Sequence, residues 1–246
     1  VKRKSEIVPQ PITQLVAPGE VGERPLLSSF LYLPAAAELP AGATRLTWQG
    51  EAPEANPSAS EAKTTPSPLV GEAARQWGVK VAGRLISSAK SWLCHDGIDR
   101  QANILPWGAP PEVPRLSAVD ASTRYLQHLA QSWNYHQQSQ KHPALLEEQT
   151  IILTVPASFD DVARQLTAEA ARRAGFQQVH LLEEPQAAFY AWIAGTERDR
   201  RRKLPLKPGM TCLVADIGGG TTPLPPTVFN PREGGPGVSP PALAGP

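Results

Sequence analysis

The chain has 246 residues, and its 24 Lys+Arg against 23 Asp+Glu leave a net charge of +1, which gives no argument for nucleic acid or an anionic membrane surface as a partner. That length allows one large domain or two small ones, with a real core. Two cysteines, Cys94 and Cys212, stand far apart without metal-ligand spacing, which argues against a disulfide framework and suits a reducing, cytoplasmic setting. The five histidines form no H-x-x-x-H pair, and the basic start Val1–Ile7 has no apolar segment behind it. No run of about eighteen apolar residues exists to span a bilayer.

From the N-terminus, Ile7–Val16 and Leu26–Leu33 are short apolar runs broken by Pro9, Pro11, Pro18 and Pro25, the pattern of edge strands and turns. Residues 35–68 are rich in Ala, Pro, Ser and Glu, with one strand-like island at Arg45–Gln49, and read as a loose, exposed excursion. Leu69–Trp77 and Gly83–Leu93 have helical spacing, and the second carries Lys90. Ser117 and Asp120 form an S-x-x-D capping box. Behind it Val119, Thr123, Leu126, Leu129, Ala130 and Trp133 share one face of a helix that reaches toward Pro143.

Ile151–Val155 is almost wholly apolar, the mark of a strand covered on both faces, and Pro156 ends it. A second box, Ser158 with Asp161, opens a helix lined by Val162, Leu166, Ala170 and Ala174 and stopped by Gly175. Val179–Leu182 is a brief strand. Glu183-Glu184-Pro185 then starts a helix running to Gly195, with proline in its first turn. The basic run Arg198–Lys203 reads as a solvated loop. Strand, helix, strand, helix and strand between 150 and 216 make an α/β domain.

The last of these strands, Cys212–Ala215, leads into Asp216 and then Gly218, Gly219, Gly220 and Thr221. Consecutive glycines permit a tight turn, by itself more often a plain hairpin turn, whose N–H groups can also form a concave anion site, to which Thr221 adds a hydroxyl. Asp216 at the strand end could hold a hydrated divalent cation on the same phosphates, or simply cap the turn. Beyond it, Pro223–Pro246 has eight prolines and four glycines in 24 residues and no period of 2 or 3.6, so a disordered tail is expected. Pro223, Pro225 and Pro226 should also cut short any strand returning along Cys212–Ala215. Two other charged residues are candidates for chemistry. From its residues alone Lys90 reads first as a surface lysine, and Glu184 is a carboxylate that the positive end of a helix favours. His95, His128, His136, His142 and His180 read as surface or amphipathic-face residues.

Three segments, Thr154-Val-Pro-Ala-Ser-Phe-Asp-Asp-Val-Ala-Arg-Gln165, Leu181-Leu-Glu-Glu-Pro-Gln-Ala-Ala188 and Leu213-Val-Ala-Asp-Ile-Gly-Gly-Gly-Thr221, resemble the nucleotide-binding domain of the heat-shock 70 kDa chaperones in content, order and spacing. Arg84–Leu93 resembles that family's segment with the catalytic lysine. The resemblance implies an α/β, actin-like (ribonuclease-H-like) ATPase fold, mainly lobe one plus the opening hairpin of lobe two. It implies ATP and Mg²⁺ in a cleft between the lobes. Residues 1–195 would be lobe one, with 35–115 its excursion subdomain, 196–222 the start of lobe two and 223–246 the tail.

On this resemblance Lys90 orients the attacking water and the γ-phosphate. Glu184 and Asp216 hold the Mg²⁺-water shell, and Gly218, Gly219, Gly220 and Thr221 cradle phosphate. Pro156 and Arg164 couple nucleotide state to a substrate-binding domain. The intact protein would then take unfolded polypeptide clients and co-chaperones as partners, with no nucleic acid and no membrane. The chain departs from the family pattern in several ways. No Asp-Gly-Thr-Thr turn precedes Ile7, position 223 is Pro in place of Asp, and the rest of lobe two is missing from these residues. An incomplete ATPase domain is therefore expected, with a non-catalytic remnant or interaction module as the alternative. A different actin-fold protein, such as a sugar kinase, is a third reading, against which the Val-Pro-Ala-Ser-Phe and Glu-Glu-Pro-Gln-Ala-Ala segments argue.

Overall fold

The computed structural model describes residues 7–36, 38–49, 67–198, 210–214, 226–232 and 235–239. The chain is mixed α/β and divides into two compact units, Val1–Gln149 with Gln165–Gln178, and Thr150–Arg164 with Val179–Pro246. The lobe boundary expected between 195 and 196 falls inside the second unit.

The first unit opens with β1 (Ile12–Ala17) and β2 (Glu20–Arg24), antiparallel from Ile12↔Arg24 to Ala17↔Glu20. β2 carries no apolar run to announce it; it pairs through its backbone while Val21 packs on the core. A separate antiparallel sheet has β3 (Phe30–Tyr32) between β4 (Leu69–Val70) and β5 (Leu85–Ser87). Both neighbours of β3 lie in stretches read from their spacing as helix. In the first, Leu69 and Val70 join β3, Gly71 turns the chain at φ 83°, and only then does α1 (Glu72–Gly78) begin. A Cβ on Gly71 would lie 2.5 Å from Gln14 Oε1 and 2.6 Å from Leu27 Cδ1, so no side chain fits there. In the second, Leu85–Ser87 pairs with β3 and buries Ile86, which leaves α2 (Ala89–Trp92) as one helical turn. Sheet pairing overrides helical spacing at both places. The core beneath gathers Leu15, Tyr32, Leu69, Ala73 and Ala74, with Leu39, Leu46, Trp77 and Leu85 packed around them.

Residues 35–36 and 38–49, expected to be loose, are docked on this core. The Glu38 carboxylate accepts hydrogen bonds from the Tyr32 hydroxyl, from Trp77 Nε1 at 2.7 Å and from the Ala35 N–H at 2.7 Å. Arg45–Gln49 ends in a 3₁₀ turn over Thr47–Gln49 rather than a strand. α3 (Ala118–Gln137) starts as its sequence requires. Ser117 Oγ accepts from the Asp120 N–H at 3.0 Å and the Asp120 carboxylate accepts from the Ser117 N–H at 3.3 Å. Its buried line departs from the expected one. Val119, Thr123 and Ala130 are buried as read, but His128 and Ser132 are buried with them.

The second unit begins with β6 (Thr150–Val155). Burial along it alternates, and Ile152 is 64% exposed, so β6 is not covered on both faces. An apolar run records what a strand can bury, not what covers it; here α5 (Glu184–Arg198) packs on β6. α4 (Asp161–Arg173) follows, two residues later than the Ser158 box implied. Its cap is Asp160, whose Oδ1 accepts from the Ala163 N–H at 2.7 Å, because Phe159 is buried and its N–H closes a turn on the Pro156 carbonyl at 3.1 Å. The later residues of α4 belong to the first unit, where Leu166, Ala170 and Ala171 are buried and Arg173 pairs with Asp120 at 3.0 Å. Gly175, at φ 101°, ends the helix, and the Phe176 N–H bonds the Ala171 carbonyl at 3.1 Å. β7 (Gln178–Glu183) lies beside β6 and runs directly into α5 (Glu184–Arg198), which continues past Gly195.

β8 (Thr211–Leu213) pairs with β9 (Pro226–Arg232), which pairs in turn with β10 (Gly235–Ser239), all antiparallel. Two expectations are corrected here. The return strand along β8 exists, from Thr211↔Val228 to Leu213↔Pro226, and 226–232 and 235–239 are strands rather than a structureless tail. An antiparallel ladder asks a given neighbour for a donor only at every second pair. Pro231 and Pro236 stand opposite each other, so their two missing N–H groups fall on a single rung. The other residues of 223–246 lie outside the described set.

Candidate functional site

Lys90 is the second residue of α2, in the first unit, and its side chain is exposed. The turn that presents it is held from both ends, with Ala89 and Leu93 buried and α2 packed on α3. Ser88, immediately before α2, sits in the left-handed region at φ 55°, ψ 29°, a conformation that costs about 1–2 kcal/mol for a residue with a Cβ. Strain of that kind survives only where the surroundings over-determine the backbone, so Lys90 stands on a fixed turn. Trp92 on the same turn stacks on His95 at 5.1 Å and on Trp107 at 5.0 Å between centroids.

Glu184 is the first residue of α5, in the second unit, half-buried and followed by the buried Pro185. It stands at the C-terminal end of β7, where strands of α/β sheets present ligand-binding groups. Its neighbour Glu183, which the sequence reading passed over, is already committed. Arg164 Nη2 donates to Glu183 Oε1 at 2.8 Å, and Gln186 Nε2 donates to Oε2 at 3.4 Å. Arg164 Nε also donates to the Phe159 carbonyl at 3.1 Å, and the Phe159 N–H bonds the Pro156 carbonyl. Pro156 and Arg164, expected from the resemblance as a coupling pair, belong to one chain of hydrogen bonds that ends beside Glu184. No sequence signal could have found Glu183: its partner is 19 residues away on another element.

Asp216, Gly218, Gly219, Gly220 and Thr221 lie outside the described residues. The strand leading to them is placed, with Cys212 and Val214 packed against Phe189 and Ile193 of α5. Between α5 and β8 runs a groove of about 380 Å³ lined by Ala188, Phe189, Trp192, Cys212, Leu213 and Val214. Its lining is apolar side chains and one thiol, so it offers nothing to a phosphate. No group of three or more His, Cys, Asp or Glu gathers among the described residues. Among the described residues no helix is long and apolar enough to cross a membrane.

The family model for the Hsp70 protein matches residues 117–225. Residues 117–225 are therefore similar to Hsp70-family sequence. The chain is 34% identical over 157 residues to the chaperone protein HscA of Salmonella paratyphi C, covering 62% of this chain and 24% of that protein. To the chaperone protein HscA of Proteus mirabilis it is 44% identical over 71 residues, 29% of this chain and 10% of that protein. It therefore spans a quarter or less of these curated relatives. The Hsp70 match contains Pro156, Arg164, Glu184, Asp216 and Gly218–Thr221; Lys90 precedes it.

Proposed function

We propose that the chain is part of an actin-like ATPase domain of an Hsp70-type chaperone, working in the cytoplasm within a longer protein that acts on unfolded polypeptides with co-chaperones. The reading rests on one observation. Both carboxylates and the glycine turn fall, in family order, inside the Hsp70 match. Phosphoryl transfer asks a protein for positioning and charge neutralisation more than for covalent help, and these residues supply that. Lys90 would orient water against the γ-phosphate, Glu184 and Asp216 would hold the water shell of Mg²⁺, and Gly218–Thr221 would cradle phosphate. Bound Mg²⁺ would offset the phosphate charge. The bond chain from Pro156 through Arg164 to Glu183 gives the coupling pair a physical route to the residue next to Glu184.

These residues offer one phosphate turn, and phosphates are ordinarily held from two sides. Charge-assisted hydrogen bonds contribute about 1.5–3 kcal/mol each, and a loss of about 4 kcal/mol weakens binding roughly a thousandfold. The chain alone should bind ATP·Mg²⁺ very weakly and hydrolyse it no faster than its Lys90→Ala variant. The corresponding full-length protein should lose turnover when Lys90, Glu184 or Asp216 is replaced by Ala. Micromolar ATP affinity of this chain by calorimetry would contradict the first expectation, and unchanged turnover of the full-length variants would overturn the site. Pro223 in place of the family's Asp favours a second reading, a non-catalytic interaction module. A full-length protein that binds ATP without turnover would select it.

A further inference from the structure

Thr13 on β1 is held at three points by one face of α3. Its N–H donates to Ser132 Oγ at 2.8 Å, its carbonyl accepts from His128 Nε2 at 3.0 Å, and its Oγ1 lies 3.0 Å from His136 Nε2. The spacing 128, 132 and 136 is one residue per helical turn, so the three side chains form a column along the strand edge. Thr13, His128 and Ser132 are all buried, and they stand where a neighbouring strand would otherwise supply ladder partners. We propose that His128, Ser132 and His136 form an acid-sensitive latch that fastens the β1–β2 hairpin to α3.

The two histidines respond differently to a proton. His136 is partly open to solvent and lies 3.7 Å from Glu23 Oε1 on β2, so its cation has a carboxylate beside it. His128 already uses Nε2–H on the Thr13 carbonyl, so a second proton must go to Nδ1. Its ring meets Trp48 edge-on at 5.5 Å, and Trp48 in turn meets Tyr135. Burial holds the Tyr125 phenol on α3 above its ordinary range. Among the described residues the acid paired with either ring is Glu23, and it pairs with His136. Burial accordingly pushes the His128 imidazolium below the ordinary histidine range. A proton on His128 is accommodated by swinging the ring out to water, which releases the Thr13 carbonyl and with it the clamp.

Opening that takes up one proton becomes about tenfold more favourable per pH unit below the ordinary histidine range near 6.5. Amide exchange of Thr13 in the whole chain, corrected for the intrinsic rate, should lose protection by about that factor per unit between pH 6.5 and 5. Amides of β3 should hold theirs. His128→Gln keeps a donor for the Thr13 carbonyl but cannot titrate, and its Thr13 protection should be flat over the same range. A flat profile in the unaltered chain, an undiminished acid response in His128→Gln, or loss of β3 protection in step with Thr13 would each overturn the latch. Independently of any variant, the His128 ring resonance should titrate below the ordinary histidine range near 6.5. Titration within that range would overturn it too.

Discussion

Two stretches, residues 35–36 with 38–49 and residues 226–232 with 235–239, share a composition that argues against order, yet they are held by opposite means. The first is fastened by a side chain. The Glu38 carboxylate collects the Tyr32 hydroxyl, the Trp77 indole N–H and the Ala35 N–H, and so ties an Ala- and Pro-rich loop to the core of the first unit. The second is fastened by its backbone, through the register of β9 with β8 and β10. Composition averages over a stretch, so it sees neither a single well-placed carboxylate nor two prolines that share a rung. The two modes of attachment should fail under different insults.

The largest effect is expected from Glu38→Ala. It removes the acceptor of three hydrogen bonds and leaves the Tyr32 hydroxyl, beside a wholly buried ring, without its partner. Burial, with the hydrogen bond and charge of Glu38, holds the Tyr32 phenol well above its ordinary pKa, a sign of how closely the two are joined. Hydrogen bonds to a charged group contribute about 1.5–3 kcal/mol, and the site is partly solvated, so a loss of about 2–4 kcal/mol is expected in denaturant unfolding of the first unit. Residues 35–49 should also become the first protease-cleaved segment. A change below 0.5 kcal/mol would show that the loop is held by Leu39 and Leu46 alone.

The same contrast marks what the sequence made legible. Signals carried within a few residues came through: the Ser117–Asp120 box, the stop at Gly175, and the strand-to-helix junction at Glu183-Glu184-Pro185. Signals that depend on a distant partner did not. Leu69–Val70 and Leu85–Ser87 have helical spacing but are claimed by β3. His128 reads as a surface or amphipathic-face residue, yet Thr13, more than 100 residues away, supplies its bond. At the candidate site the pattern repeats. Glu184 and the Pro156–Arg164 pair could be named from sequence, while the Arg164–Glu183 ion pair that brings Arg164 beside Glu184 had to be seen in three dimensions.

The backbone-held stretch should instead be sensitive to donors. Pro231 and Pro236 occupy one rung, so the adjacent rung, Asn230↔Gly237, must supply hydrogen bonds between β9 and β10. Gly237→Pro would remove a donor there and is expected to cost about 1–2 kcal/mol locally. Hydrogen exchange should show it as lost protection in β9 with α1 and β3 unaffected. Retained protection across Phe229–Asn230 would mean that β10 contributes nothing to holding β9.

The smallest effect, and the one that separates the two modes in a single sample, is the response to acid. Burial by itself would raise the Glu38 carboxyl, but donation by Tyr32, Ala35 and Trp77 outweighs it and holds the group below its ordinary value. A carboxylate with a lowered folded pKa contributes stability that is present above the unfolded value, near 4.5, and is lost as pH falls through the folded one. Residues 226–232 and 235–239 contain no Asp, Glu or His, so nothing within their ladder titrates there. Between pH 5 and 3, exchange protection around Ala35–Leu39 should therefore fall while that of β9, corrected for the intrinsic rate, stays level. In Glu38→Gln, which keeps an acceptor for Trp77 but no charge, the first stretch should start less protected and lose its acid response. Parallel decline of both stretches in the unaltered chain would mean that acid acts on the whole fold, and that the carboxylate anchor has no separate existence.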